Sequence, residues 1–362
     1  MKIFKDVLAV CLSMLLFVMA GCRSTGGTDV APEIIIRTAS SEYYTSPSRE
    51  SSEALTNAAQ PKSFLTVDAS SGQGIYAISD DFHVLKSQDG KSWVNLLDIS
   101  NYSAKSGKPA LAALKSGFVF IAYYTSAGIE TQKSVDAGSS WSKSSIKIPT
   151  DDPESGYGGS LALSFVNQTD GYLLTSGLPA AGTMCKALYK TLNGGESWES
   201  AGNSLNSEKA TADLTKIGGY TTGMAFFHFG TGFITCSYHG QNEISLYKTT
   251  NHGTNWLSME IALPKNVILL KYSKDYYIDA YPPAIYGNDR NHAKLLLNIC
   301  NNGAKAPYVY SSNDGGVTWM VNGKSNLIIK SYSFTDDKNG FGLDEYGTLY
   351  STDNGGLTWI KT

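Results

Sequence analysis

Arginine is almost missing from this chain of 362 residues: Arg23, Arg37, Arg49 and Arg290 are the only four, and three of them fall within the first 50 positions. A site that must grip carboxylates through several planar guanidinium forks has little to build on. Charge of either sign is also sparse, at 17% of residues with a net charge of −3, so there is no electrostatic case for a nucleic-acid partner. Of five cysteines, Cys11 and Cys22 belong to the N-terminal segment. That leaves Cys185, Cys236 and Cys300, an odd number, so at least one thiol stays unpaired within the molecule. Cys236 and Cys300 sit in the apolar runs GFITCSY and LLLNIC, where burial as small hydrophobes is expected. No Cys/His spacing suggests zinc, and His83, His228, His239, His252 and His292 show no metal-ligand pattern. Gly-x-Ser-x-Gly elbows, P-loops and dinucleotide fingerprints are absent, and no metal or cofactor is expected.

Long hydrophobic runs are missing too, with one exception at the start. Lys2 and Lys5 precede the apolar run Val7 to Ala20, which is followed by Gly21 and Cys22, the pattern of a secretory signal. The run is shorter than the ~20 residues a spanning helix needs. Residues 23–60 are rich in Ser, Thr, Ala and Gly and read as a flexible stalk, although Ile34-Ile35-Ile36 could instead form an outer strand.

What the chain does have is a repeated turn. All six tryptophans end the same short segment: SQDGKSW to Trp93, SVDAGSSW to Trp141, TLNGGESW to Trp198, TTNHGTNW to Trp256, SNDGGVTW to Trp319 and TDNGGLTW to Trp359. In each, Asp89, Asp136, Asn193, Asn251, Asp314 or Asn354 follows a Ser/Thr by two places and can accept backbone N–H bonds across a tight turn. The glycine supplies a left-handed position and the tryptophan opens the return strand. Successive tryptophans are 48, 57, 58, 63 and 40 residues apart, enough for about four short strands per unit.

The segment [ST]-x-[DN]-x-G-x-[STN]-W resembles the Asp-box, or BNR repeat, of sialidases, sortilin-type receptors and photosystem II assembly-factor-like proteins. The resemblance covers about residues 62–362. It implies an all-β fold, a single β-propeller of six blades with a seventh possible, each box lying on a hairpin away from the ligand face. The Met19-Ala20-Gly21-Cys22 tail similarly resembles a bacterial lipobox, which implies lipidation of Cys22 and an extracytoplasmic, membrane-anchored propeller spanning 61–362 in the bacterial cell envelope.

A second repeat precedes the boxes. Phe165 to Gly171-Tyr172, Phe226 to Gly232-Phe233 and Phe334 to Gly340-Phe341 each place Gly six residues after an aromatic, as strand, turn and strand. This grammar resembles the photosystem II assembly-factor-like repeat more than the sialidase repeat. Blades are expected at 62–100, 108–150, 156–205, 218–262, 266–324 and 326–362.

An active sialidase needs three arginines around the substrate carboxylate, and one propeller arginine does not supply them. The expectation is therefore a non-enzymatic binding or assembly module for an envelope protein or a glycan, with Tyr157, Tyr220, Tyr281, Asp279 and Arg290 as funnel-face candidates. The tyrosines stand among turn residues just ahead of first strands, where flat amphipathic rings suit sugars or peptide side chains. The alternative is a glycoside hydrolase using two carboxylates drawn from Asp151, Asp152, Glu154, Asp279 and Asp289.

Overall fold

A computed structural model describes residues 50–51, 61, 63–99, 101–102, 107–147, 159–179, 182, 184–204, 213–228, 230–238, 244–265, 267 and 276–362. Cys22, the Ile34–Ile36 run, Tyr157, Asp151, Asp152, Glu154 and His239 lie outside them. Every described strand pairing is antiparallel, and the strands form five sheets. The first holds Phe64–Asp68, Ile75–Ser79, His83–Ser87 and Trp93–Asp98 in chain order. The second holds Ala110–Ala113, Val119–Thr125, Gly128–Ser134 and Ser140–Ile146. Its outer edge takes a fifth strand, Glu50–Ser51, so part of the segment expected as stalk pairs with the sheet. The third runs Leu161–Phe165, Gly171–Ser176, Lys186–Thr191 and Glu199–Asn203, and the last runs Ser331–Phe334, Gly340–Leu343, Leu349–Thr352 and Ile360–Lys361.

Six separate blades were expected, and here the structure differs. Spans 62–100, 108–150, 156–205 and 326–362 each hold one discrete sheet, but 218–262 and 266–324 share a single nine-stranded sheet. Its first four strands are Tyr220–His228, Thr231–Ser237, Leu246–Thr249 and Leu257–Ser258. The other five are Tyr277–Ala280, Ala284–Tyr286, His292–Asn301, Ala304–Ser312 and Met320–Lys324. Pro282 and Pro283, which have no N–H to give a ladder, split what would be one strand into Tyr277–Ala280 and Ala284–Tyr286. The leading half reaches the preceding strands at Ser237↔Asp279, where Ser237 Oγ also donates to the Asp279 carboxylate.

Hydrophobic cores lie between successive groups of strands, as when Ile78, Val84 and Leu96 of the first sheet pack with Ile121 and Trp141 of the second. The series closes on itself, because Phe64, Ile75 and Trp93 of the first sheet pack with Leu343 and Leu349 of the last. Hydrogen bonds finish the closure: Phe64 N donates to Gly347 O at 2.9 Å and Ala69 N to the Ser333 side-chain Oγ at 3.0 Å. Burying apolar side chains between neighbouring sheets is the main driving force here, at roughly 1.5–3 kcal/mol per large side chain.

The second repeat has a steric cause. Phe165↔Gly171, Phe226↔Gly232 and Phe334↔Gly340 are cross-strand pairs, and each phenyl ring lies over its glycine. A Cβ on Gly171, Gly232 or Gly340 would stand 2.5, 2.6 or 2.7 Å from that ring. The same rings meet the turn tryptophans edge-on: Phe165–Trp198 at 6.0 Å, Phe226–Trp256 at 6.1 Å and Phe334–Trp359 at 5.9 Å. The two sequence repeats are thus one packing unit.

Candidate functional site

The tryptophan turns occupy one end of the strands. In the turn of Ser134 the hydroxyl accepts from Gly138 N at 2.7 Å, and Asp136 Oδ1 accepts from Ser140 N at 2.8 Å. In the turn of Thr249 the same bonds run from Gly253 N at 3.0 Å and from Asn255 N to Asn251 Oδ1 at 3.0 Å. Two successive positions are left-handed, not the one inferred for Gly alone: Ala137 and His252 have φ of 60° and 63° ahead of Gly138 and Gly253. His252 is accordingly only partly exposed. The turns also bond to the loops between first and second strands, through Ala137 N to Gly117 O at 2.8 Å, His252 N to Gly230 O at 3.0 Å and Gly355 N to Lys338 O at 2.8 Å. They therefore sit where the first strands end.

Carboxylates in these turns are fully engaged. Asp89 is held down to about 2 by the N–H groups of Ser92 and Lys91, with the Ser87 hydroxyl adding to them. At Asp314, burial pushes upward, but the Thr318 and Ser312 hydroxyls and the Thr318 and Val317 amides together outweigh it and bring the group to about 2.

The first strands themselves enclose a cavity of about 640 Å³. Its walls include residues from Ala110–Ala113, Leu161–Phe165, Thr221–Ala225 and Ser331–Ser333. At the turn end lies Asp68, whose Oδ1 accepts from Ser70 N at 2.8 Å, Ser70 Oγ at 2.6 Å and Ser333 Oγ at 2.9 Å, while Oδ2 accepts from Ala113 N at 2.8 Å. This carboxylate staples three sheets together. Arg290 was a funnel-face candidate, and it does line the cavity, but at this same end. Its φ of 53° turns it back so that Nε and Nη2 donate to the Phe227 and Phe226 carbonyls, both at 2.7 Å. Burial pulls its guanidinium down to about 10, partly opposed by Asp68.

The opposite end, where first strands begin, is the mouth. Lys108 and Lys330 stand just before Ala110–Ala113 and Ser331–Phe334, and Lys305 follows the Asn302-Gly303 turn. Tyr277, Asp279 and Ser237 line the same end. Ser237 Oγ and Asn298 Nδ2, the latter at 3.4 Å, donate to Asp279, and Asn298 Nδ2 also approaches Cys300 Sγ at 3.4 Å. The bond between Tyr277 and Cys300, with burial second, pushes the Tyr277 phenol up to about 12. Lys108 is exposed by area yet walled in by protein, and burial lowers its ammonium, with the nearby Lys330 charge acting the same way. Two segments that lead into first strands pass close together: a Cβ on Gly107 would fall 1.9 Å from Gly159 O.

Three sequence candidates, Asp279, Tyr281 and Arg290, thus line the cavity, and Tyr220 does not. Asp279 and Tyr281 line it, but the Tyr281 ring is buried and its phenol is raised, first by burial and then by Asp279, so it is not an open platform. Tyr220 opens its strand without lining the cavity. Of the five hydrolase carboxylates, Asp151, Asp152 and Glu154 lie outside the described residues, and Asp289 sits on an exposed loop 3.5 Å from His292 Nε2. Asp279 and Asp289 do not meet in the cavity. Cys185, Cys236 and Cys300 form no disulfide, and Cys236 and Cys300 are buried. Among the described residues no His/Cys/Asp/Glu group could hold a metal, and no helix is long and apolar enough to cross a membrane. Lys108 and Lys330 belong to neither repeat, so no motif marks them in the sequence. Aligning the residues just ahead of each first strand would have exposed Lys108 and Lys330.

Antiparallel strand groups whose innermost strands enclose a common cavity, with the last group packed on the first, define a β-propeller. Residues 35–293 match the DUF6242 beta propeller domain, and the chain belongs to that family. No curated protein matches the sequence. Among solved structures it is similar to a GH74 enzyme of Niastella koreensis, at 14% identity and TM-score 0.46, covering 85% of this chain and 55% of that one. A GH74 xyloglucanase of Xanthomonas campestris is similar at 14% identity and TM-score 0.46, covering 85% and 46%. The chain thus spans about half the length of these two. YCF48 of Cyanidioschyzon merolae is similar at 14% identity and TM-score 0.41, covering 86% and 88%.

Proposed function

We propose that this protein is a non-enzymatic binding module that takes its partner, a protein or a glycan, at the mouth of the cavity. In this reading the tryptophan turns are Asp-boxes, and lipidated Cys22 holds the propeller on the bacterial envelope. The observation that carries it is the contrast in use of polar groups: the turn end spends its carboxylates and hydroxyls on its own backbone, whereas the mouth gathers Lys108, Lys305, Lys330, Tyr277 and Asp279 around an open cavity. A hydrolase reading is disfavoured because the second acid lining the cavity, Asp68, already accepts four hydrogen bonds from structural partners.

The test is a glycan and envelope-protein binding screen on the full chain in detergent, with Asp279→Asn at the mouth and Leu192→Ala on the turn side. Binding should weaken for the first and hold for the second. Cleavage of a bound glycan, or binding insensitive to the mouth and sensitive to the turn side, would sink the proposal.

A further inference from the structure

The cavity has a floor at its turn end. The innermost strands follow one another in chain order, each touching the next from Phe64–Asp68 round to Ser331–Phe334 and back, so Ala110–Ala113 and Ala284–Tyr286 stand on opposite sides. Just past these two strands, Lys115 Nζ donates to Asn288 Oδ1 at 2.7 Å across 173 positions, and Gln73 Nε2 donates to Lys115 O at 3.2 Å. The loop 287–291 bends sharply because Gly287 and Arg290 are both left-handed, with φ of 82° and 53°. It is fixed by the two Arg290 bonds to the Phe226 and Phe227 carbonyls, by Asn291 Oδ1 at 2.9 Å from His228 Nε2, and by the bond from Gly315 N to Asn291 O at 2.9 Å. Ser70 Oγ donates to Ala113 O at 3.1 Å and, with the Asp68 staple, ties the adjoining strands together at the same end. At the mouth, bonds such as that from Thr222 Oγ1 to Ala280 O at 2.6 Å run along the wall between neighbours.

We propose that the cavity is a blind pocket that takes the terminal unit of a glycan chain, with the loop 287–291 as its floor. This deepens the binding-module reading and rests on it. A volume of about 640 Å³ suits a short oligosaccharide, and a chain that enters from the mouth cannot leave past Arg290 and the Lys115–Asn288 bridge, so only an end fits. The rings on the wall point to a sugar. Tyr332 and Tyr277 are half-buried and line the cavity with their hydroxyls tied back: Tyr332 Oη accepts from Leu296 N at 2.9 Å and donates to Tyr281 O at 3.3 Å, and Tyr277 bonds to Cys300. Rings held by their tips are rigid, flat surfaces for the apolar face of a sugar. Asp279 lines the same wall and accepts hydroxyl donors, as its bond from Ser237 shows. A peptide end would bring a full charge to a floor where Arg290 and Asp68 already offset each other, whereas a sugar end brings hydroxyls.

Binding of the full chain in detergent to linear gluco-, manno-, galacto- and xylo-oligosaccharides, from disaccharides to hexasaccharides, tests this, with cyclic glucans as probes that have no end. Affinity should level off by the trisaccharide, and the cyclic forms should not bind. A methyl ether on the terminal unit should cost about tenfold, and Arg290→Ala, which frees the floor loop, should shrink that penalty to less than about threefold. Should Arg290→Ala fail to fold, Lys115→Ala with Asn288→Ala, both exposed, takes its place. Tyr277→Ala should lose about tenfold and Tyr277→Phe little, because the ring and not the hydroxyl meets the sugar. Equal binding of capped and uncapped chains, affinity that keeps rising to the hexasaccharide, or binding of cyclic glucans overturns the inference. If only proteins bind, this inference fails and the binding-module reading stands; if the oligosaccharides are shortened on incubation, the binding-module reading fails.

Discussion

The two ends of the cavity solve opposite problems with similar polar residues. At the turn end, Asp136 and Asp314 each accept from an amide and a hydroxyl four residues on, and Asn193, Asn251 and Asn354 repeat the amide bond without a charge. At the mouth, Lys108 and Lys330 share a wall without a buried anion between them. The difference teaches that this fold is stabilised by self-contained local devices at one end, which leaves the other end able to carry charges that do not help it fold.

The sharpest way to break that comparison is at Trp256, which is 2% exposed, donates to Gly253 O at 2.8 Å and meets Phe226 edge-on. Trp256→Ala should cost roughly 3–5 kcal/mol in urea unfolding. The half-buried Trp198 should cost clearly less, and equal losses would mean that burial does not rank the turns. Next comes Gly253→Ala. With φ of 83° and a Cβ only 2.7 Å from Leu188, it should lose about 1–3 kcal/mol, whereas Gly72→Ala, at φ 64° with nothing within 4 Å, should lose about 1 kcal/mol.

Acid should separate the ends by sign. Asp89 and Asp314 are lowered to about 2 from an ordinary 3.8, so the stability they add is complete above pH 3.8 and is lost as pH falls toward 2. A chain carrying Asp89→Asn and Asp314→Asn should show a flatter loss of melting temperature between those limits; an unchanged acid limb would remove the turns from acid unfolding. Smallest is Lys108→Ala, for which the unfolding midpoint at pH 7 should stay within about 0.5 kcal/mol of wild type or rise. A clear loss would show that Lys108 supports the fold, and the contrast between ends would collapse.

The turns were legible because their chemistry is local: hydroxyl, acceptor, glycine and tryptophan lie within eight residues, and their bonds span two to four. The Phe–Gly repeat was legible as a pattern, but its cause, a ring lying over the paired glycine, needed the strand register. The merging of two expected blades was not legible, because it depends on Pro282-Pro283 and on a Ser237–Asp279 meeting across 42 positions. The candidate site was read only in part. Asp279 lines the cavity where the first strands begin, Tyr281 is buried, and Arg290 faces the cavity from the other end because a left-handed turn folds it under the Phe226 and Phe227 carbonyls.

By itself the sequence determined that this chain builds repeated tryptophan-ended hairpins and all-β sheets, because hydrogen bonds within a turn and alternation along a strand are set by neighbours in the chain. Only the tertiary structure decided which charges share a wall, since Lys108, Lys305 and Lys330 come from distant segments that meet only when the first strands converge on one cavity. That convergence is a property of the closed ring, and no local spacing encodes it.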